Sequence, residues 1–208
     1  MKKFSIISFD VEGTLVTTDF SAAIWFEGIP ESYAWKYGMS FQQARNIVTR
    51  EYDKVGDQRI EWYDINYWVN KFDIGSSYEL LKKYKGRIGI YPEVREVLES
   101  LSKKYLLIIC SGTPREFLVH LLKDIDGYFT EIFSSTSDFK STKNQSFYTG
   151  ICRKMESAPD QILHVGDNYQ FDFHEPMQIG LQAYYLNRAE TSKKDNTIRS
   201  LAELSSLL

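Results

Sequence analysis

The chain has 208 residues, enough for one domain carrying a modest insertion and for a sizeable hydrophobic core. Apolar residues make up 43% and charged residues 25%, which excludes fibrous and grossly disordered classes, and no apolar run approaches the length of a membrane span. With 25 basic against 28 acidic side chains and a net charge of -3, there is no global positive field to gather nucleic acid or anionic membrane, so neither is expected as a partner. Only two cysteines are present, Cys110 and Cys152, and no secretory apolar segment follows the basic Met1-Lys2-Lys3 start. The expected setting is the reducing cytoplasm.

The first predicted element is a buried strand, Phe4 to Phe9 (FSIISF), ending at Asp10. Composition then changes. Residues 16–87 hold 15 of the 31 aromatic side chains, including all four tryptophans, together with 10 basic and 10 acidic residues. Such a neutral, aromatic stretch marks a separate unit. Its apolar spacing is helical: Ile60, Tyr63 and Tyr67 share one side of a predicted helix, and Trp62, Ile65, Val69 and Phe72 another. Gly38, Gly56 and Gly75 divide the unit into short helices.

Beyond it, Val94, Val97, Leu98 and Leu101 form the apolar stripe of a helix begun by Pro92. Leu106 to Cys110 is a second buried strand. It runs into Ser111-Gly112-Thr113-Pro114 and a helix with Phe117, Leu118, Leu121 and Leu122 on one face, where Thr113 and Glu116 have capping-box spacing. Ile162 to Val165, ending at Gly166-Asp167, and Leu181 to Leu186 are further strands. Alternating strands and helices predict an α/β fold, a Rossmann-like parallel sheet core over residues 1–15 and 88–208 with helices on both faces, plus an inserted all-helical unit over residues 16–87. In such sheets, ligands bind beyond the carboxyl ends of strands.

Those ends deliver Asp10 and Glu12 after the first strand, Ser111 and Gly112 after the second, and Asp167 with Asp172 later on. Carboxylates gathered so closely repel one another, which calls for a cation between them. An all-oxygen ligand set without a histidine or cysteine cluster suits a hard ion, most simply Mg²⁺. The Ser111 hydroxyl and the amides at the start of the helix after Pro114 suit an anion. A metal beside an anion pocket suggests a phosphoryl group.

The order FDVEGTL (9–15), CSGTP (110–114), a lysine at 143 and VGDNYQFD (165–172) resembles the haloacid dehalogenase superfamily. The resemblance covers the core, and residues 16–87 fall in the slot where many members insert a helical cap that sets substrate choice. It implies a hydrolase that removes phosphate from a small phosphorylated metabolite. Asp10 would be the nucleophile that becomes an aspartyl phosphate, and Glu12 the acid and base. Ser111, Gly112 and Lys143 would hold the phosphoryl group, with Lys140 the fallback lysine. Asp10, Glu12 through its main-chain carbonyl, Asp167 and Asp172 would hold Mg²⁺. Position 12 departs from the family, whose phosphatases normally carry aspartate there, and Phe171 stands where a polar residue is usual. Dehalogenases and phosphomutases use the same scaffold, and a degenerate binding protein could retain it. Glu12, Asp167 and Asp172 favour phosphate ester chemistry over dehalogenation and over a degenerate binding role, whereas a phosphomutase would differ in returning the phosphoryl group to a sugar phosphate rather than to water. His164 reads as a buried core histidine, and Cys110 as a packing residue facing away from Ser111.

Overall fold

Six strands form an all-parallel sheet in the computed structural model, which describes residues 4–189 and 195–208. The Met1-Lys2-Lys3 start lies outside the described residues. The strands are β1 (Ile6–Phe9), β2 (Leu106–Ser111), β3 (Glu131–Ser134), β4 (Ile162–Gly166), β5 (Gln182–Leu186) and β6 (Thr197–Ile198). Their order in the sheet is β3-β2-β1-β4-β5-β6. The chain therefore builds outward from β1 on one side, then returns to β1's other side with β4. That reversal opens a crevice beyond the strands' carboxyl ends, between β1 and β4. Asp10 follows one of these strands and Asp167 the other.

Strand β1 is buried at all four residues, as a central parallel strand covered on both faces must be. Its register sets Ile6 beside Leu106 and Ile162, and Phe9 beside Ile109 and Val165. Burying each such side chain contributes about 1.5–3 kcal/mol.

The chain divides into two compact units, Met1–Val16 with Ile90–Leu208, and Thr17–Gly89. In the Thr17–Gly89 unit the helices are α1 (Asp19–Ala23), α2 (Ile29–Tyr37), α3 (Phe41–Val55), α4 (Ile65–Phe72) and α5 (Ser77–Tyr84), with a wider π-helical turn over Ile24–Gly28. Helix α3 starts at a capping box in which Ser40 and Gln43 satisfy each other's backbone, buries Ala44, Val48 and Tyr52, and stops at Gly56, whose φ of 75° lies in the left-handed region. A single helix does not span Ile60–Phe72. A short 3₁₀ turn (Ile60–Trp62) is followed by a fresh start at Asp64, whose carboxylate accepts from the amides of Asn66 and Tyr67. The cap wins because it satisfies amides that would otherwise be orphaned at the new N-terminus. Part of the aromatic excess is the unit's own core: Trp68 is fully buried, stacks on Phe72 at 5.5 Å and meets Tyr52 edge-on at 4.6 Å. Trp35 is instead 88% exposed.

In the sheet unit, helices α6 (Val94–Ser102), α7 (Arg115–Leu121), α8 (Ser135–Phe139) and α9 (Gln145–Lys154) follow. The predicted stripe Val94, Val97, Leu98 and Leu101 is buried on α6, which begins two residues after Pro92. Helix α9 is capped by Asn144 and packs Phe147, Tyr148 and Ile151 onto Ile6, Ile108, Cys110 and Ile162. Ile7, Phe9, Leu107 and Ile109 point the opposite way and are equally buried, so both sheet faces are covered. Both cysteines are unpaired and buried in the α9 core, and burial pushes the Cys110 thiol up to about 12. Among the described residues, no helix is long and apolar enough to cross a membrane.

Candidate active site

Asp10 stands one residue beyond β1 and is 6% exposed. Its Oδ1 accepts from Ser111 Oγ at 3.0 Å and from Lys143 Nζ at 2.6 Å. Lys143 is 5% exposed, immediately before the α9 cap, and its ammonium also pairs with Asp172. Lys140 instead ends α8 in a left-handed conformation and is exposed. One buried lysine thus bridges two buried carboxylates, and their charge holds its pKa above the ordinary value although burial opposes this.

Asp172 is fully buried and all its oxygens are engaged. Oδ1 faces Lys143 and His164 Nε2, the latter at 3.0 Å, and Oδ2 accepts from the Asn168 amide at 2.9 Å. Burial alone would raise its pKa, but Lys143 and His164 outweigh it and hold the carboxyl below the usual range. For Asp10 the balance falls the other way, because burial and the Asp172 charge exceed the help from Lys143. His164 is fully buried, as expected, and both its ring nitrogens have partners. A carboxylate only accepts, so Nε2 carries a hydrogen toward Asp172, and Nδ1 shares a hydrogen bond of 2.8 Å with the Ser8 hydroxyl. The Tyr148 hydroxyl abuts the same ring and donates to the Phe171 carbonyl at 2.7 Å.

Asp167 is half-buried at the end of β4. Burial first, then the charges of Asp10 and Asp172, push its carboxyl up to about 7. Gly13, with φ of 76°, lets the chain pass against this carboxylate, and any Cβ there would overlap it. Gly166 is required for the same reason against Asp172. Oxygens of Asp10, Asp167 and Asp172 lie within 4.8 Å of one another, and Lys143 pairs with two of the three, Asp10 and Asp172. Three carboxylates against one ammonium leave the crevice too negative for Asp167, so the donor set fits a hard divalent cation.

A carboxyl raised in the folded state stabilises fully below its unfolded value and loses that contribution as pH rises through the folded one. The metal-free protein is therefore expected to lose stability from about pH 4 to about pH 7 on account of Asp167. Mg²⁺ should raise the melting temperature more at about pH 8 than at about pH 5, because it binds the ionised form. A melt indifferent to Mg²⁺ at the higher pH would contradict this donor set.

Glu12 lies in the loop between β1 and Val16, where its carboxylate accepts from Thr113 Oγ1 at 2.9 Å. The expected capping box of Thr113 with Glu116 does not form, because the threonine side chain is taken by Glu12. Nor are all amides at the start of α7 open to an anion: that of Thr113 donates to Ser111 Oγ and that of Arg115 to Ser137 Oγ. The loop Ser111–Thr113 is held from below by hydroxyls. Ser134 donates to the Thr113 carbonyl at 2.9 Å and Thr136 to that of Gly112 at 3.0 Å.

Arg188, just past β5, escaped the sequence reading. Its guanidinium donates to the carbonyls of Gly13 at 3.2 Å and Thr14 at 2.8 Å, pairs with Glu93 at 2.7 Å, and stacks over Tyr91 at 3.5 Å. It clamps the loop that carries Asp10 and Glu12. Arg188→Met is expected to cost about 1–3 kcal/mol in urea unfolding, with catalysis falling alongside. Unchanged stability would mean the clamp is dispensable.

A family model of haloacid dehalogenase-like hydrolases matches residues 4–173. The chain belongs to this family. As a haloacid dehalogenase-like hydrolase it is similar to the GMP/IMP nucleotidase YrfG of Escherichia coli, at 20% identity over 162 residues, 76% of this chain and 72% of that protein. It is similar to phosphoglycolate phosphatase of Haemophilus influenzae at 24% identity over 193 residues, 80% and 78% of the two chains. Among solved structures, a phosphatase of the same superfamily from Thermococcus onnurineus matches with a TM-score of 0.85 at 24% identity, over 98% of this chain and 97% of that one. This likeness establishes the α/β fold of the hydrolase.

Proposed function

We propose that the protein is a Mg²⁺-dependent phosphatase of small phosphate monoesters that works through an aspartyl phosphate on Asp10. The observation that supports this reading best is the buried Asp10 carboxylate held by Lys143 and Ser111 beside Asp167. Asp10, the Glu12 carbonyl and Asp167 would hold the metal. Asp172, with its oxygens already engaged, would act mainly by anchoring Lys143. The ion, when bound, neutralises charge on the transferring phosphoryl group.

The residues then divide the work. A carboxylate oxygen of Asp10 attacks phosphorus as the ester P–O bond breaks, and Glu12 gives its proton to the departing alkoxide. Lys143, the Ser111 hydroxyl and the Gly112 amide balance and orient the phosphoryl oxygens. Glu12, now a carboxylate, takes a proton from water as that water attacks phosphorus, releasing inorganic phosphate and restoring Asp10. The names of the two curated relatives point to GMP, IMP and phosphoglycolate as first substrates to try. Two buried, unpaired thiols fit a cytoplasmic setting.

The test is phosphate release from a panel of such esters with and without Mg²⁺, run beside chloride release from a 2-haloacid. Metal-dependent phosphate release supports the reading. Chloride release without it would replace the reading with dehalogenation.

A further inference from the structure

Glu12 is one methylene longer than the aspartate usual at its position, and the structure gives that extra reach a partner. The backbone at Glu12 is fixed by a bridge to Val16, and the Gly13 amide donates to the Val16 carbonyl at 2.8 Å. Its carboxylate meets the hydroxyl of Thr113, 101 residues away in sequence and 9% exposed. Thr113 is itself immobilised: its amide donates to Ser111 Oγ at 3.2 Å and its carbonyl accepts from Ser134 Oγ at 2.9 Å. A shorter aspartate would withdraw the carboxylate by about 1.5 Å, opening the 2.9 Å contact to beyond hydrogen-bonding distance.

We infer that Thr113 is the positioning residue for Glu12, holding the acid so that glutamate can serve at position 12. This rests on the phosphatase reading above. An acid held in one orientation delivers its proton to the leaving oxygen without a search, and that matters only when the leaving group needs protonation. Alkyl phosphates need it; p-nitrophenyl phosphate, whose leaving group is already a stable anion, does not.

The experiment measures kcat/KM, which reports steps up to the phosphoryl-enzyme, for phosphoglycolate and p-nitrophenyl phosphate with Mg²⁺. Thr113→Val is expected to lower the value for phosphoglycolate about 10–100-fold while the value for p-nitrophenyl phosphate moves less than about threefold. Thr113→Ser should restore the parent ratio. Glu12→Asp should also lower the value for phosphoglycolate, and Thr113→Val added to Glu12→Asp should cost nothing more on that ester, since the contact is already broken. Equal losses on both esters, an unchanged ratio, additive losses in the double variant, or a serine variant as impaired as valine would overturn the inference and leave the phosphatase reading standing. A parent protein that releases phosphate from neither ester would overturn both.

Discussion

Asp10→Asn is expected to lower phosphate release by about 10⁴-fold or more, with no phosphorylated protein trapped on acid quenching. The amide is close in size to the carboxylate but is a poor nucleophile, and it presents hydrogens where Asp10 presents lone pairs to Ser111 and Lys143. The fold should survive, because Lys143 keeps Asp172 as a partner and one of three crowded carboxylates is removed. Circular dichroism and a melting curve like those of the parent would confirm that the loss is chemical. Parent-like turnover in this variant would remove Asp10 from the reaction.

Removal of Lys143 should act on stability as well as rate. In Lys143→Met, Asp10 and Asp172 lose the ammonium that bridges them, and breaking such a buried pair costs about 3–5 kcal/mol. The deficit should depend on pH in a definite direction. Burial and the Asp172 charge already raise the Asp10 carboxyl above its unfolded value, and loss of Lys143 raises it further. A group raised on folding stabilises below its unfolded value and loses that contribution as pH climbs through the folded one. The variant should therefore fall furthest behind the parent at about pH 8 and recover at about pH 5, read by urea unfolding without Mg²⁺. A deficit below about 1 kcal/mol, or one independent of pH, would show that the lysine is not the counterion of this cluster. Phosphate release should fall about 100-fold or more, as when a charge-stabilising donor is removed from a transition state.

Much of the fold was legible because buried parallel strands read as short apolar runs and α6 as a stripe at helical spacing, and each such signal is local. The carboxylates were legible for a related reason: a polar residue ending an apolar run marks the end of a strand, where this sheet places its crevice. The supporting network was not legible in the same way. His164 looks like one more position in an apolar strand, and its polar partners Ser8 and Asp172 appear only once β1 lies beside β4. Thr113 carries a local capping signal, but a tertiary partner outcompetes it. Arg188 closes the GLQAYYLNR stretch without a local pattern that assigns it a role, and the two carbonyls it grips lie 175 and 174 residues earlier. The break at Asp64 was present in the sequence as a capping residue, but the aromatic periodicity across it suggested continuity. Local patterns reported the elements; hydrogen bonds distant in sequence had to be seen.

The central placement of β1 bears on how the protein must be made. Asp10 bonds to partners 101 and 133 residues further along the chain, so the site draws on three strands that cannot pair until most of the polypeptide exists. Contacts of such long sequence separation form late and slowly. A nascent chain that has not yet emitted β4 would hold its future nucleophile next to no lysine anchor and no second acidic strand end, and would be chemically silent. Catalytic competence should return in step with the slowest refolding phase, so that turnover itself becomes a clock for the completion of the sheet.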